Sequence, residues 1–325
     1  MIMPNAIRVW KQISKCLAEH IPVMLLHVLE SKGSSPGRQG FFMAVNARSE
    51  MEGSIGGGMM EHKFVEMAIE KLRVQRLEFG VRKQIHDKTA PKEQSGMICS
   101  GEQTILLYPF KNTDTSMVDQ IISSLEKNEN GTLRLSPDGI FFTPVIPEMD
   151  FHFKMNTEED WEYIEKTGYK NELFIIGCGH CALALSQLMR TMDFYIHVYD
   201  ERKELKTLLE NNFAHEKIVV KDYTELAVLV PSGSQHYVVI MTFGYRTDDT
   251  ALRSLLDKEF KYLGVLGSSA KMKKLFEEYR KQGITETKLQ LIHTPVGIRI
   301  KSQTPEEIAV SIAAEIIREK NKELL

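Results

Sequence analysis

The stretch ELFIIGCGHCALALSQLMRTMDFYIHVYDER constrains the fold more than any other. An apolar run meets a glycine turn, a helical pattern follows, and a second apolar run ends at Asp200. The turn GCGHCA satisfies the pattern G-x-G-x-x-G/A. Gly177 permits the tight turn, Gly179 lets a backbone approach a phosphate, and Ala182 lets helix and strand pack closely. Amides at the helix start then face an anion. Asp200, closing the second strand, is placed to accept ribose hydroxyls. KIVV, QHYVVIMTF and YLGVLGSS add short buried strands, with helical stretches between them. This is a mostly parallel sheet with helices on both faces, a Rossmann-like domain.

The turn has two unusual members. His180 stands at the helix mouth, in position to contact solvent or ligand, and Cys178 and Cys181 flank it. A cysteine at a helix start is either a lowered-pKa nucleophile or soft metal ligand, or a small buried side chain.

At 325 residues the chain exceeds what one core usually serves, so two domains are expected. The reading is α/β throughout: a small N-terminal α/β domain over 1–110, a connecting region over 111–169, and the Rossmann-like domain over 170–325. Within the connecting region, MNTEEDWEYIEKTGYKN reads as polar and peripheral. A formal net charge of −3 gives no electrostatic reason to expect nucleic acid or an anionic membrane as partner. No apolar stretch reaches the ~18 residues of a membrane span, and the N-terminus has no charged region followed by an apolar run, so a cytoplasmic protein with free thiols is expected.

The N-terminal segment carries two more glycine loops. GSSPGRQG, with Gly33, Ser34 and Arg38, lies between two apolar runs and suits an oxyanion-binding turn. GSIGGGMMEH places Gly56, Gly57 and Gly58 at the start of a helix whose Met60, Phe64, Ala68 and Leu72 form one apolar face. Bare amides there favour an anion, or the glycines let another loop cross closely. Glu61 complicates a phosphate seat, because a carboxylate in the first turn satisfies helix amides itself; it also suits a heterocyclic N–H. Cys99, in GMICSG, is a soft ligand or a buried inert thiol. Near the end, Ser268 either caps a helix or receives an anion, and Thr304 to Glu307 form a capping box.

As an ordered set, GSSPGRQG, GSIGGGMMEH, GMICSG, FIIGCGHCALAL, VYDER, YLGVLGSSAKMKK and HTPVGIRIKSQTPEEIAVSIAAEII resemble the XdhC/CoxI family, accessory proteins of xanthine dehydrogenase and related molybdenum hydroxylases. The resemblance implies a chaperone of the molybdenum cofactor (molybdopterin) rather than a turnover enzyme. Such a protein binds the cofactor, supports its sulfuration by a cysteine desulfurase, delivers it to the hydroxylase, and works as a homodimer. The glycine loops and Arg38 then suit the phosphate, Glu61 the pterin N–H groups, and Cys99 the molybdenum end.

Three departures from the family pattern touch the site rather than the fold. Ser100 precedes Gly101 where a two-glycine run is common, FGYRTDD replaces a histidine-containing stretch, and Arg299, Lys301 and Ser302 follow the HTPVG turn. The competing readings are an NAD(P)-dependent oxidoreductase built on GCGHCA and Asp200, and a scaffold that binds hydroxylase or desulfurase without a cofactor.

Overall fold

A computed structural model describes residues 5–74, 79–85 and 101–322. The chain divides into two compact units, Met1–Gly168 and Tyr169–Leu325.

The first unit opens with α1 (Asn5–Ala18), β1 (Val23–Lys32), β2 (Phe42–Asn46), β3 (Met51–Gly53), α2 (Gly58–Arg73), β4 (Gly80–Ile85) and β5 (Glu102–Pro109). Its strands form an antiparallel sheet in the order β3-β2-β1-β5-β4. β1 is central and covered on both faces, which is why VMLLHVL reads as a continuous apolar run. Met24, Leu26 and Val28 face the core beneath α2, where Met60, Phe64, Ala68 and Leu72 form the apolar face expected of that helix. Leu25 and Leu29 point the other way, into a core shared with Trp10 and Ile13 of α1.

That second core is closed by α3 (Thr115–Glu126), β6 (Gly131–Ser136), β7 (Gly139–Thr143), β8 (Phe151–Thr157) and β9 (Asp160–Thr167). The four strands make a second antiparallel sheet in the order β7-β6-β9-β8. The stretch expected to be polar and peripheral is part of it. In β9 every second side chain turns inward, so Trp161 and Tyr163 are buried while Glu162 between them faces out.

The second unit contains β10 (Asn171–Ile176), α4 (His180–Arg190), β11 (Phe194–Asp200), α5 (Lys206–Glu210), β12 (Glu216–Val219), α6 (Leu226–Leu229) and β13 (Gly233–Ile240). It continues through α7 (Tyr245–Leu255), β14 (Phe260–Val265), α8 (Ser269–Lys281), α9 (Glu286–Gln290), β15 (Ile292–His293) and α10 (Pro305–Lys320). All strand pairs are parallel, in the order β12-β11-β10-β13-β14-β15. This is the doubly wound order, reversing between β10 and β13, where the strand ends open a crevice. α4 and α10 cover one face through Ala182, Leu185, Ala309 and Ile312, and α7 and α8 cover the other through Leu252, Leu255 and Leu275.

α10 starts in the expected capping box. Thr304 Oγ1 accepts from the Glu307 amide at 3.2 Å, and Glu307 Oε2 accepts from the Thr304 amide at 3.3 Å. Further along, buried Glu315 accepts from Tyr262 Oη and from the Gly297 amide, both at 2.7 Å. Burial disfavours its charge, yet His293, Tyr262 and the Gly297 amide outweigh that and hold its pKa at about 2. The folded value lies below the unfolded one. The stabilisation, about 3 kcal/mol, is therefore complete above the ordinary glutamate range and lost as pH falls towards 2. Glu315→Gln is expected to remove this component of the acid limb in denaturant midpoints measured against pH.

Candidate functional site

In the first unit three segments meet at the end of β1. A Cβ on Gly37 would overlap the Ile55 carbonyl, one on Gly56 would overlap the Gly37 backbone, and one on Gly101 would fall 2.5 Å from the Ser34 carbonyl. The loops after β1 and β3 therefore cross backbone on backbone, and the residue leading into β5 packs under Ser34. Gln103 Nε2 fastens the crossing by donating to the Gly37 carbonyl at 2.9 Å. Arg38 is held locally, donating to the Gly33 carbonyl at 3.2 Å from an exposed position.

The amides expected to receive an external anion already have one. Glu61 Oε2 accepts from the Ile55 amide at 2.9 Å, the Gly57 amide at 3.0 Å and Ser54 Oγ at 2.6 Å. The Gly56 amide donates to Ser54 Oγ at 3.0 Å. The loop before α2 is thus closed on the protein's own carboxylate. Gly57, the N-cap of α2 with φ 76°, has no atom within 4 Å of where a Cβ would stand, and Gly58 follows as the first helical residue. Close crossing accounts for Gly56, and the left-handed backbone accounts for Gly57. Cys99, with Ser100, lies outside the described residues.

In the second unit the turn after β10 is built as its glycines suggest. A Cβ on Gly177 would lie 2.6 Å from the Met241 carbonyl oxygen, so the turn presses on the strand end across the switch point. Gly179 caps α4 without any side-chain cap, and no atom lies within 4 Å of its absent Cβ. That open backbone, ahead of amides with no intrahelical acceptor, suits a phosphate. His180 is exposed at the first helical position.

Asp200 does not have the freedom its spacing suggested. It is fully buried, and its oxygens accept from the Cys178 amide at 2.7 Å, the Arg202 amide at 2.9 Å, and Arg202 Nε and Nη2 at 2.8 Å each. A carboxylate offers about four acceptor positions, so no lone pair remains for a ribose hydroxyl. Burial opposes its charge, but Arg202 and the Cys178 amide hold its pKa below the ordinary carboxylate value. The remainder of the Arg202 guanidinium lies over the exposed Phe243 ring, 5.0 Å from its centroid.

Cys178 is buried and Cys181 is half-buried. Burial, reinforced by Asp200, drives the Cys178 pKa far up, and burial with Glu306 raises that of Cys181. Both shifts disfavour the thiolate that a nucleophile needs. Ser268 caps α8, accepting from the Lys271 amide at 3.3 Å. Beside it, Lys271 Nζ pairs with buried Asp248, which also accepts from the Thr242 amide at 3.0 Å. The FGYRTDD departure thus supplies a structural carboxylate, Asp248, in the first turn of α7.

Among the described residues no group of three or more His, Cys, Asp or Glu side chains could hold a metal ion, and no helix is long and apolar enough to cross a membrane. Sequence reading missed Gln84 and Gln103, buried amides opposite one another on β4 and β5. For Gln103, polar beside the apolar run of β5, the break in pattern was the available signal.

A doubly wound unit with a bare glycine turn at its switch point, following an antiparallel two-sheet unit in the chain, defines an α/β protein with a Rossmann-like domain. Residues 173–316 match the XdhC Rossmann domain, and residues 16–80 match the XdhC and CoxI family. The chain belongs to the XdhC/CoxI family. It is 23% identical over 317 residues, 96% of this chain and 46% of the relative, to Uncharacterized protein YqeB of Escherichia coli (strain K12). It is 27% identical over 172 residues, 53% of this chain and 48% of the relative, to a probable xanthine dehydrogenase subunit of Bacillus subtilis (strain 168). The chain spans about half the length of these curated relatives. A crystal structure described as a xanthine dehydrogenase from Bacillus halodurans has the same fold, with a TM-score of 0.70 at 23% identity over 98% of this chain and 96% of that one.

Proposed function

We propose that this chain is an accessory factor of a xanthine dehydrogenase or related molybdenum hydroxylase. It binds the molybdenum cofactor, keeps it while a cysteine desulfurase supplies the terminal sulfur, and delivers it to the apo-enzyme. The observation that carries this reading is membership of the XdhC/CoxI family through segments in both units. The same resemblance carries the expectation of a cytoplasmic homodimer.

Each unit, taken by itself, offers groups that match one part of the cofactor's chemistry. The open backbone at Gly179 and the α4 amides suit a phosphate. Glu61, locked through one oxygen, suits pterin N–H groups with the other. Cys99 is the proposed soft ligand for molybdenum. When bound, the cofactor supplies redox chemistry that the client enzyme uses. This chain's work is to hold and orient it. A nicotinamide-dependent oxidoreductase is less well supported, because Asp200 has no acceptor left for ribose.

The test is to mix cofactor-loaded protein with apo-hydroxylase and follow client activity. Activation beyond that given by the same amount of free sulfurated cofactor is expected. Equal activation with and without the chain would reject the delivery role.

A further inference from the structure

We infer that the outer edge of β8 is the surface through which two copies of this chain join, antiparallel and two-fold symmetric about His152; this rests on the homodimer expectation above and is independent of the cofactor.

β8 ends the second sheet of the first unit, with β9 on one side and no strand on the other among the described residues. The Asp150 carbonyl accepts from the Lys166 amide at 2.9 Å, so Asp150, His152 and Lys154 bond towards β9 in this register. Phe151 and Phe153 therefore direct their N–H and C=O groups outwards. Edge strands of soluble proteins are commonly kept short, bulged or guarded by charge. β8 runs for 7 residues, and its irregularity comes at the far end, between Met155 and Thr157. The core is open along this edge too. Phe151 and Phe153 are partly buried against it, and Met149 and Met155 are 58% and 38% exposed.

The charges select the occupant. Lys154 stands opposite Glu162, but Glu162 is taken by Arg134 Nε at 2.6 Å. Lys154 has no ion-pair partner among the described residues. Lay a second β8 antiparallel, with His152 opposite His152 of the second copy, and Asp150 falls opposite Lys154 of that copy, twice by symmetry. Phe151 then exchanges both hydrogen bonds with Phe153 of the second copy, using the outward groups, and their rings pair on the core face. One step further, Met149 meets Met155 of the second copy. The neighbouring registers fit less well. One sets His152 against Lys154, and the other puts Pro147, which has no N–H, in a hydrogen-bonding position opposite Met155. Joined at His152, the two four-stranded sheets continue into one.

The experiment measures the mass of the full chain by sedimentation velocity over a concentration series. The parent is expected to be a dimer. Lys154→Glu sets like charges opposite one another at both symmetric positions and should raise the dimer dissociation constant about tenfold. Asp150→Lys should do the same. Combining Asp150→Lys with Lys154→Glu should restore the parent value, a recovery that a damaged fold would not give. His152→Cys puts a thiol on the two-fold axis, where a non-hydrogen-bonded antiparallel pair lies within disulfide reach. Oxidation with copper phenanthroline should link that variant, and not the parent, into a covalent dimer. A dimer that neither Lys154→Glu nor His152→Cys affects would overturn this surface and leave the homodimer standing. A monomeric parent would overturn both. If that monomer lost its activation of apo-hydroxylase on Lys154→Glu substitution, the edge would belong to the client and not to a second copy. Cofactor retention, counted on the same samples, reads the carrier proposal separately.

Discussion

Gly56→Ala is expected to cost the first unit about 4 kcal/mol. The added methyl would overlap the Gly37 backbone, and the residue has φ 126°, a conformation that L side chains rarely adopt. Neither neighbour can turn aside, because both are main chain. Gly57→Ala is the matched control. Its φ of 76° is also left-handed, but nothing lies within 4 Å of the new atom, so a cost of about 1 kcal/mol is expected. The chain's two tryptophans, Trp10 and Trp161, both lie in the first unit, so the fluorescence midpoint in denaturant reads this difference directly. Equal midpoints for the two variants would mean that the loops do not cross as described.

The second large effect is expected at Asp200. Its replacement by alanine leaves the Cys178 amide buried without an acceptor and removes both hydrogen bonds from the Arg202 guanidinium. Asp200 is fully buried but the Arg202 side chain is 39% exposed, so water replaces much of the lost pairing and the cost, set mainly by the orphaned amide, is about 2–3 kcal/mol. The loss falls on the second unit, which contains no tryptophan. Far-ultraviolet circular dichroism should therefore show a transition at lower denaturant than in the parent. Asp200→Asn keeps the shape but gives up the charge pair, and should fall between the two. An Asp200→Ala protein as stable as the parent would return Asp200 to the pool of residues free to bind a ligand.

Much of the fold was legible because it is locally encoded. The turn between β10 and α4, the apolar face of α2 and the capping box of α10 each depend on residues within a few positions of one another. The β8–β9 hairpin was not legible, since Trp161 and Tyr163 alternate with charges in a stretch whose average is polar. Only the period of two, not the composition, marks it as core. The site shows the same division. Glu61 as an internal anion could be weighed from its place in the first helical turn. The saturation of Asp200 could not, because it needs the chain to bend so that Arg202 folds back on the carboxylate two residues before it. Gln84 is harder still. Its unpaired carbonyl exists only once β4 is seated against β5.

The central proposal is that this chain carries the molybdenum cofactor. Its most direct test is an anaerobic titration of the purified apo-protein with that cofactor, followed by gel filtration and a count of pterin and molybdenum in the protein peak. Stoichiometric co-elution of both is the predicted result. Intact cofactor recovered entirely apart from the protein would contradict the account.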